Sequence, residues 1–235
     1  MPRVARTVLV NLPHHITHRG NRRSTVFYSN QDRERYLRLL RGASVRYEMD
    51  LWAYCLMSNH VHLLAVPRRA DSLARTVGHA HMMYSRQVNS HYGWTGHLWA
   101  NRFYSAPVEP EQSWVIARYI ELNPVRAGLV PRAEDHPWSS ARSHCLGVSD
   151  PMLAEEHPIG EDSDEWKRWL GQEVDDHLDI AIRRATATGS PFGSPAFLER
   201  LEAILGRRLR RRRYDSARYG SGTDSEDSDR LRWDG

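Results

Sequence analysis

The chain has 235 residues, a formal net charge of +4 and 40% hydrophobic content, enough for a core of ordinary size. It has no apolar run of about 18 residues that would span a membrane, and its N-terminus, MPRVARTVLVNLPHHIT, lacks a signal-peptide core and cleavage site, so a cytoplasmic protein is expected. Two cysteines, Cys55 and Cys145, with no C-x-x-C pair, exclude a disulfide framework and argue against a cysteine zinc site.

Charge is unevenly spread. Residues 1–147 hold 19 arginines against 10 acids, a balance of +9, while residues 150–185 hold 11 acids against four bases. A basic first region suits a polyanionic partner. The chain has a single lysine, Lys167, so the arginine excess also fits genomic base composition.

In chain order, TVLVNLPHHITH (7–18) is β-branched and bounded by a turn at Gly20-Asn21, which predicts a strand. QDRERYLRLLRGASVRY (31–47) has helical spacing, with Asn30 as its N-cap. MDLWAYCLM (49–57) and HVHLLAVP (60–67) read as a hairpin around Ser58-Asn59. Residues 71–93 form a long helix opened by Asp71 and closed by Gly93. GHLWANRFYSAPV (96–108) reads as an interrupted strand. EPEQSWVIARYIELNPVRAGLV (109–130) is a helix with a break at Pro124 and a stop at Gly128.

This order, β-α-β-β-α-β and then a helix, is the ferredoxin-like pattern: an α+β fold with an antiparallel sheet and helices on one face. The helix at 109–130 follows, and then a small helical appendage. Beyond residue 147 the character changes, with helices predicted over 165–189 and 194–213, the second running into the arginines of GRRLRRRRY (206–214). The expected division is a catalytic domain (1–147), a helical extension ending in the arginine run (148–214) and a disordered tail (215–235). The arginine run reads either as a solvated helix end or as an element for DNA contact or tail regulation.

His60 and His62 flank one valine at the head of an apolar strand. Strand side chains alternate faces, so the two imidazoles point the same way and Val61 the other. Two imidazoles on one face suit a divalent cation, but such a site is open and needs ligands from elsewhere. Tyr119 and Asn123 are four apart on the last helix and share a face, above an apolar stripe of Val115, Ile116 and Ile120. By themselves they also read as a packed tyrosine and an Asn-Pro helix end. His14, His15 and His18 read as strand and loop residues rather than ligands.

The succession HHITHRGNRR, MSNHVHLL, LWANRFYS, RYIELNPVRAGLV and HPWSSARSH, over residues 3–145, resembles the REP-associated tyrosine transposases. These are HUH-type, single-tyrosine transposases of the IS200-like superfamily. The resemblance implies single-stranded DNA with hairpin structure as partner, cleavage and strand transfer as reaction, and a nucleoid-associated enzyme that is a monomer, a dimer remaining open. It maps the HUH histidines onto His60 and His62, the nucleophile onto Tyr119 and the third metal-binding side chain onto Asn123. The expected cofactor is a divalent metal, Mg²⁺ or Mn²⁺.

The chemistry wants these residues. A divalent cation withdraws charge from an anionic phosphodiester, and two neutral imidazoles and an amide leave its charge intact. A tyrosine linked to the 5′ phosphate stores the bond for rejoining without ATP. Its phenol, with a pKa of about 10, needs activation, and the sequence names no base. Arg19, Arg22, Arg23 and Arg102 are the expected DNA contacts. Trp99 and Phe103, beside Arg102, read either as strand core or as stacking surfaces for bases. Three competing readings share the scaffold. One is a metal-dependent phosphodiesterase without covalent intermediate, another a non-catalytic DNA-hairpin-binding protein. The third, an RNA-binding domain, would carry aromatics where this strand carries histidines.

Overall fold

The computed structural model describes residues 7–173 and 175–209. The arginine run from residue 210 and the tail at 215–235 lie outside the described residues. Four strands, β1 (His14–Arg19), β2 (Met49–Leu56), β3 (His60–Pro67) and β4 (Tyr104–Pro107), form one antiparallel sheet in the order β2-β3-β1-β4. This is the α+β, ferredoxin-like arrangement that the element order predicts.

Two helices, α1 (Asn30–Arg46) and α2 (Ser72–Tyr92), cover one face of the sheet. They pack on Ile16, Leu51, Leu56, Val61, Leu63 and Ala65. The opposite face carries α3 (Ser113–Glu121), whose Ile116, Ala117 and Ile120 are fully buried with Ala53, Cys55 and Leu64. Each isoleucine removed from water contributes on the order of 2 kcal/mol. A short helix, α4 (Asn123–Arg126), continues directly from α3. After it come α5 (Ala141–Leu146), α6 (Ser163–Leu170), α7 (Asp176–Thr188) and α8 (Pro195–Leu205).

A buried carboxylate ties these later helices to the sheet layer. Glu121 is fully buried at the end of α3. It accepts hydrogen bonds from Ser140 Oγ (2.5 Å), His144 Nδ1 (2.6 Å) and Trp166 Nε1 (2.9 Å). At the other edge, Glu109 accepts from the backbone N–H (2.6 Å) and hydroxyl (2.8 Å) of Ser194, the residue that caps α8. Among the described residues no helix is long and apolar enough to cross a membrane.

Several boundaries differ from expectation. The first strand starts at His14, not at residue 7, because Asn11 has φ +62° and Pro13 has no N–H for a ladder. Ser29, not Asn30, caps α1, exchanging bonds with Asp32 in a capping box. Asp71 stands at the α2 N-cap position, but its carboxylate pairs with Arg69 and Arg75 instead of a backbone N–H. The strand expected over 96–108 shrinks to four residues, since Asn101 has φ +46°; upstream, only Trp99 bridges, to Gly20. The helix expected over 109–130 divides at Leu122, before Pro124. The helix over 165–189 is broken after Leu170 by Gly171, and that over 194–213 ends at Gly206, in the left-handed region that glycine favours.

Candidate active site

In the β1–β3 ladder, Thr17 faces His62, Arg19 faces His60 and His15 faces Leu64. The odd residues of β1 and the even residues of β3 therefore share a face, the one that carries α3. Both histidines of the pair are buried, with ring centroids 5.0 Å apart. Val61 lies in the core of the other face, as alternation requires.

Tyr119, on α3, is 3% exposed and meets this cluster edge-on. Its ring centroid is 5.7 Å from that of His62 and 5.6 Å from that of His15. Arg126 stacks its guanidinium over the phenol, 4.9 Å from the centroid, and Arg183 hydrogen-bonds the Tyr119 side chain. Burial raises the phenol pKa, and the two arginines oppose that rise. Arg126 is held by a two-pronged pair with Asp179, Nε to Oδ2 at 2.7 Å and Nη2 to Oδ1 at 2.9 Å. Asp179, Arg183 and Thr186 lie at i, i+4 and i+7 along α7, so one helix face meets the site. The acidic segment thus contributes a helix to the neighbourhood of Tyr119.

The histidines are neutral. Burial pushes His15 and His60 down to about 3, with Arg19 and Arg183 adding to the effect on His60. Burial, then the neighbouring histidines and arginines, holds His62 well below its ordinary value. Neutral imidazole is the ligand form. His60 Nδ1 is 2.5 Å from Asn59 Oδ1, and an amide oxygen only accepts, so His60 carries its proton on Nδ1 and leaves Nε2 bare.

The structure brings His60, His62 and Tyr119 together, but not every expected residue joins them. Asn123 Nδ2 donates to the carbonyls of Tyr119 (2.8 Å) and Ile120 (3.2 Å), bonds back from α4 to the last turn of α3. Among the described residues no hydrogen bond joins Asn123 to either histidine, and no group of three His, Cys, Asp or Glu side chains is disposed to hold a metal ion. Arg19 lies beside His60. Arg22 and Arg23 are exposed in the turn after β1, where the Arg23 carbonyl accepts from Asn59 Nδ2 at 3.3 Å. Gly20 opens this turn, and a Cβ there would sit 2.1 Å from the Ser24 carbonyl oxygen.

Arg102 is on the other side of the sheet. It is exposed in a cleft of about 590 Å³ lined also by His18, His81, Arg86, Trp99 and Phe103. Trp99 is 7% exposed and stacks on His81, with centroids 4.3 Å apart, which makes it core. His15, Arg126, Asp179, Arg183 and Thr186 were not among the expected site residues. His15 was visible as a strand histidine of matching parity; the other four carry no local signal.

The antiparallel sheet thus presents a neutral histidine pair to a buried tyrosine ring. Residues 8–123 match the family described as "Transposase IS200 like". That stretch carries an IS200-like transposase domain, and the protein is a transposase of the tyrosine type. Among solved structures it is similar to one described as a REP-associated tyrosine transposase bound to a REP hairpin. That match has 18% identity and TM-score 0.50, over 74% of this chain and 99% of the other. It is also similar to a protein from Deinococcus radiodurans described as a transposase (21% identity, TM-score 0.35, 51% and 96% covered), a likeness too low to bear on the fold. No curated protein matches.

Proposed function

We propose that the protein is a metal-dependent single-stranded DNA endonuclease and strand transferase in which Tyr119 forms a 5′-phosphotyrosine intermediate at hairpin-associated, REP-like sequences. The observation that carries this reading is the edge-on contact of the Tyr119 ring with His62, in a chain whose residues 8–123 match the IS200-like transposases. The solved relative bound to a REP hairpin supports the substrate class. The catalytic domain is assigned to residues 1–147, with the segment from residue 148 as an extension.

The donor set fits a divalent cation such as Mg²⁺ or Mn²⁺. His60 offers a bare Nε2, His62 is neutral, and the Asn123 amide, with its nitrogen engaged by carbonyls, has its oxygen left to act as a third ligand. When bound, the cation supplies Lewis-acid polarisation of the scissile phosphate. Tyr119 Oη attacks phosphorus in line; the P–O3′ bond breaks, its electron pair leaves with O3′, the phenol proton passes to solvent, and O3′ takes a proton from solvent to become the 3′-OH. Arg183, already bonded to the Tyr119 side chain, favours the phenolate form. Rejoining reverses the step, with a 3′-OH attacking the phosphotyrosine and Tyr119 as leaving group. Arg19, beside His60, meets the phosphate, while Arg22 and Arg23 guide the strand to the same end of the sheet. Arg102 contacts DNA from the opposite face.

The test is a denaturing gel with labelled single-stranded oligonucleotides from hairpins flanking the gene, with Mn²⁺ or Mg²⁺. A slow, protease-sensitive DNA–protein adduct is expected from the wild type and from neither Tyr119→Phe nor His62→Ala. Cleavage that survives Tyr119→Phe without an adduct would identify a hydrolytic phosphodiesterase instead.

A further inference from the structure

We propose that His15 and Thr186 form a relay that fixes His62 in the single tautomer able to bind a metal ion, which makes both of them positioning residues of the metal site. The inference rests on the reading of His62 as a ligand.

The relay follows from counting protons. The Thr186 hydroxyl donates to the carbonyl of Ile182, one turn back on α7, at 2.9 Å. Its one proton is then spent, and Oγ1 offers only lone pairs to His15 Nδ1, 2.7 Å away. His15 Nδ1 must therefore carry the ring proton. A neutral imidazole has one N–H, so His15 Nε2 is bare. That nitrogen is 3.1 Å from His62 Nδ1 and accepts from it. His62 is thus protonated on Nδ1, and its Nε2 lone pair is free for a cation. His15 is 1% exposed and His62 2%, so the chain runs through a buried layer where an unmade bond is costly. The ring planes are within 15° of each other and the centroids 5.3 Å apart, so the 3.1 Å N···N line lies close to both ring planes, as an imidazole N–H bond requires.

The opposite arrangement is also closed. If the Thr186 hydroxyl turned toward His15, the ring proton would move to His15 Nε2, His62 would carry its proton on Nε2, and no lone pair would face a metal. The helical bond to Ile182 separates the two states. His60 reaches the same tautomer by a local route through Asn59, whose amide nitrogen donates to the Arg23 carbonyl and so turns its oxygen toward His60. The ligand pair is therefore set from both sides: by the preceding residue for His60, and for His62 by a hydroxyl on α7. That helix lies beyond the residues that match the transposase family.

The experiment uses the full chain, metal-free, with the His62 tautomer read from imidazole ¹⁵N and ¹³C shifts and Mn²⁺ affinity measured by electron paramagnetic resonance. The wild type is expected to show His62 protonated on Nδ1. Thr186→Val and His15→Phe, which keep side-chain shape, are expected to populate the Nε2-protonated form and to weaken Mn²⁺ binding about 10- to 100-fold. Thr186→Ser is expected to restore both readouts. An unchanged tautomer in Thr186→Val overturns the relay, whether Mn²⁺ affinity holds within twofold or falls for some other structural reason. A tautomer shift in the variants of a wild type that binds no Mn²⁺ upholds the relay and overturns the metal assignment alone.

Discussion

Asn123 ties the start of α4 to the end of α3. Pro124, one residue on, has no N–H, and it provides Asn123 with the task of satisfying carbonyls at the α3–α4 junction. The Asn123 amide donates to Tyr119 O and Ile120 O, and Arg126 Nη1 adds a second bond to Tyr119 O at 2.8 Å. These bonds fix the backbone of Tyr119 itself. Asn123→Asp keeps the size and an acceptor oxygen but loses the donor, turning a carboxylate toward two carbonyls. The expected cost is about 1–3 kcal/mol, seen as a lower midpoint in urea. An unchanged midpoint would mean that the amide is not holding the junction.

One face of α7 carries four jobs: Ile182 packs in the core, Asp179 pairs with Arg126, Arg183 bonds Tyr119 and Thr186 bonds His15. The Asp179–Arg126 pair is largely buried, with side chains 9% and 18% exposed. Asp179→Ala would strand the Arg126 charge over the Tyr119 ring and is expected to cost about 3 kcal/mol, whereas Asp179→Leu with Arg126→Met should recover much of that loss. A double-mutant cycle from denaturant melts checks this, and simple additivity would show that the pair is not coupled.

The same helix marks the limit of what the sequence discloses. The period-two pattern of β3 and the shared parity of His60 and His62 are local, as is the apolar stripe that docks α3, so those elements were readable. The α6–α7 break was missed because the apolar pattern runs on through Gly171. The Thr186–His15 contact spans 171 residues, and no periodicity connects the two. The third strand histidine looked incidental for the same reason: its role is set by register with β3 and by a helix that only the folded chain brings near.

Taken as a whole, the sheet buries neutral histidines on both faces. Behind the site, His81 is 4% exposed between α2 and the sheet. Its Nδ1 lies 2.6 Å from His18 Nδ1, its Nε2 2.8 Å from the Tyr36 hydroxyl, and its ring is stacked on Trp99. Burial, with a smaller contribution from His18, holds its pKa well below the ordinary value. The sign of the pH effect follows. Above about pH 6.5 His81 is neutral in both folded and unfolded chains and adds no pH dependence. Below that, the unfolded chain takes up a proton that the fold refuses, so stability falls as pH falls, by up to about 1.4 kcal/mol per pH unit for this one group. His81→Gln, which keeps an amide among the same partners, removes that titration. The gap in unfolding free energy between wild type and variant should therefore shift by one proton's slope between about pH 5.5 and 4.5 and stay constant above pH 7. Parallel stability curves across the whole range would mean that His81 takes up a proton inside the fold, with His18 and Tyr36 rearranged to accept it.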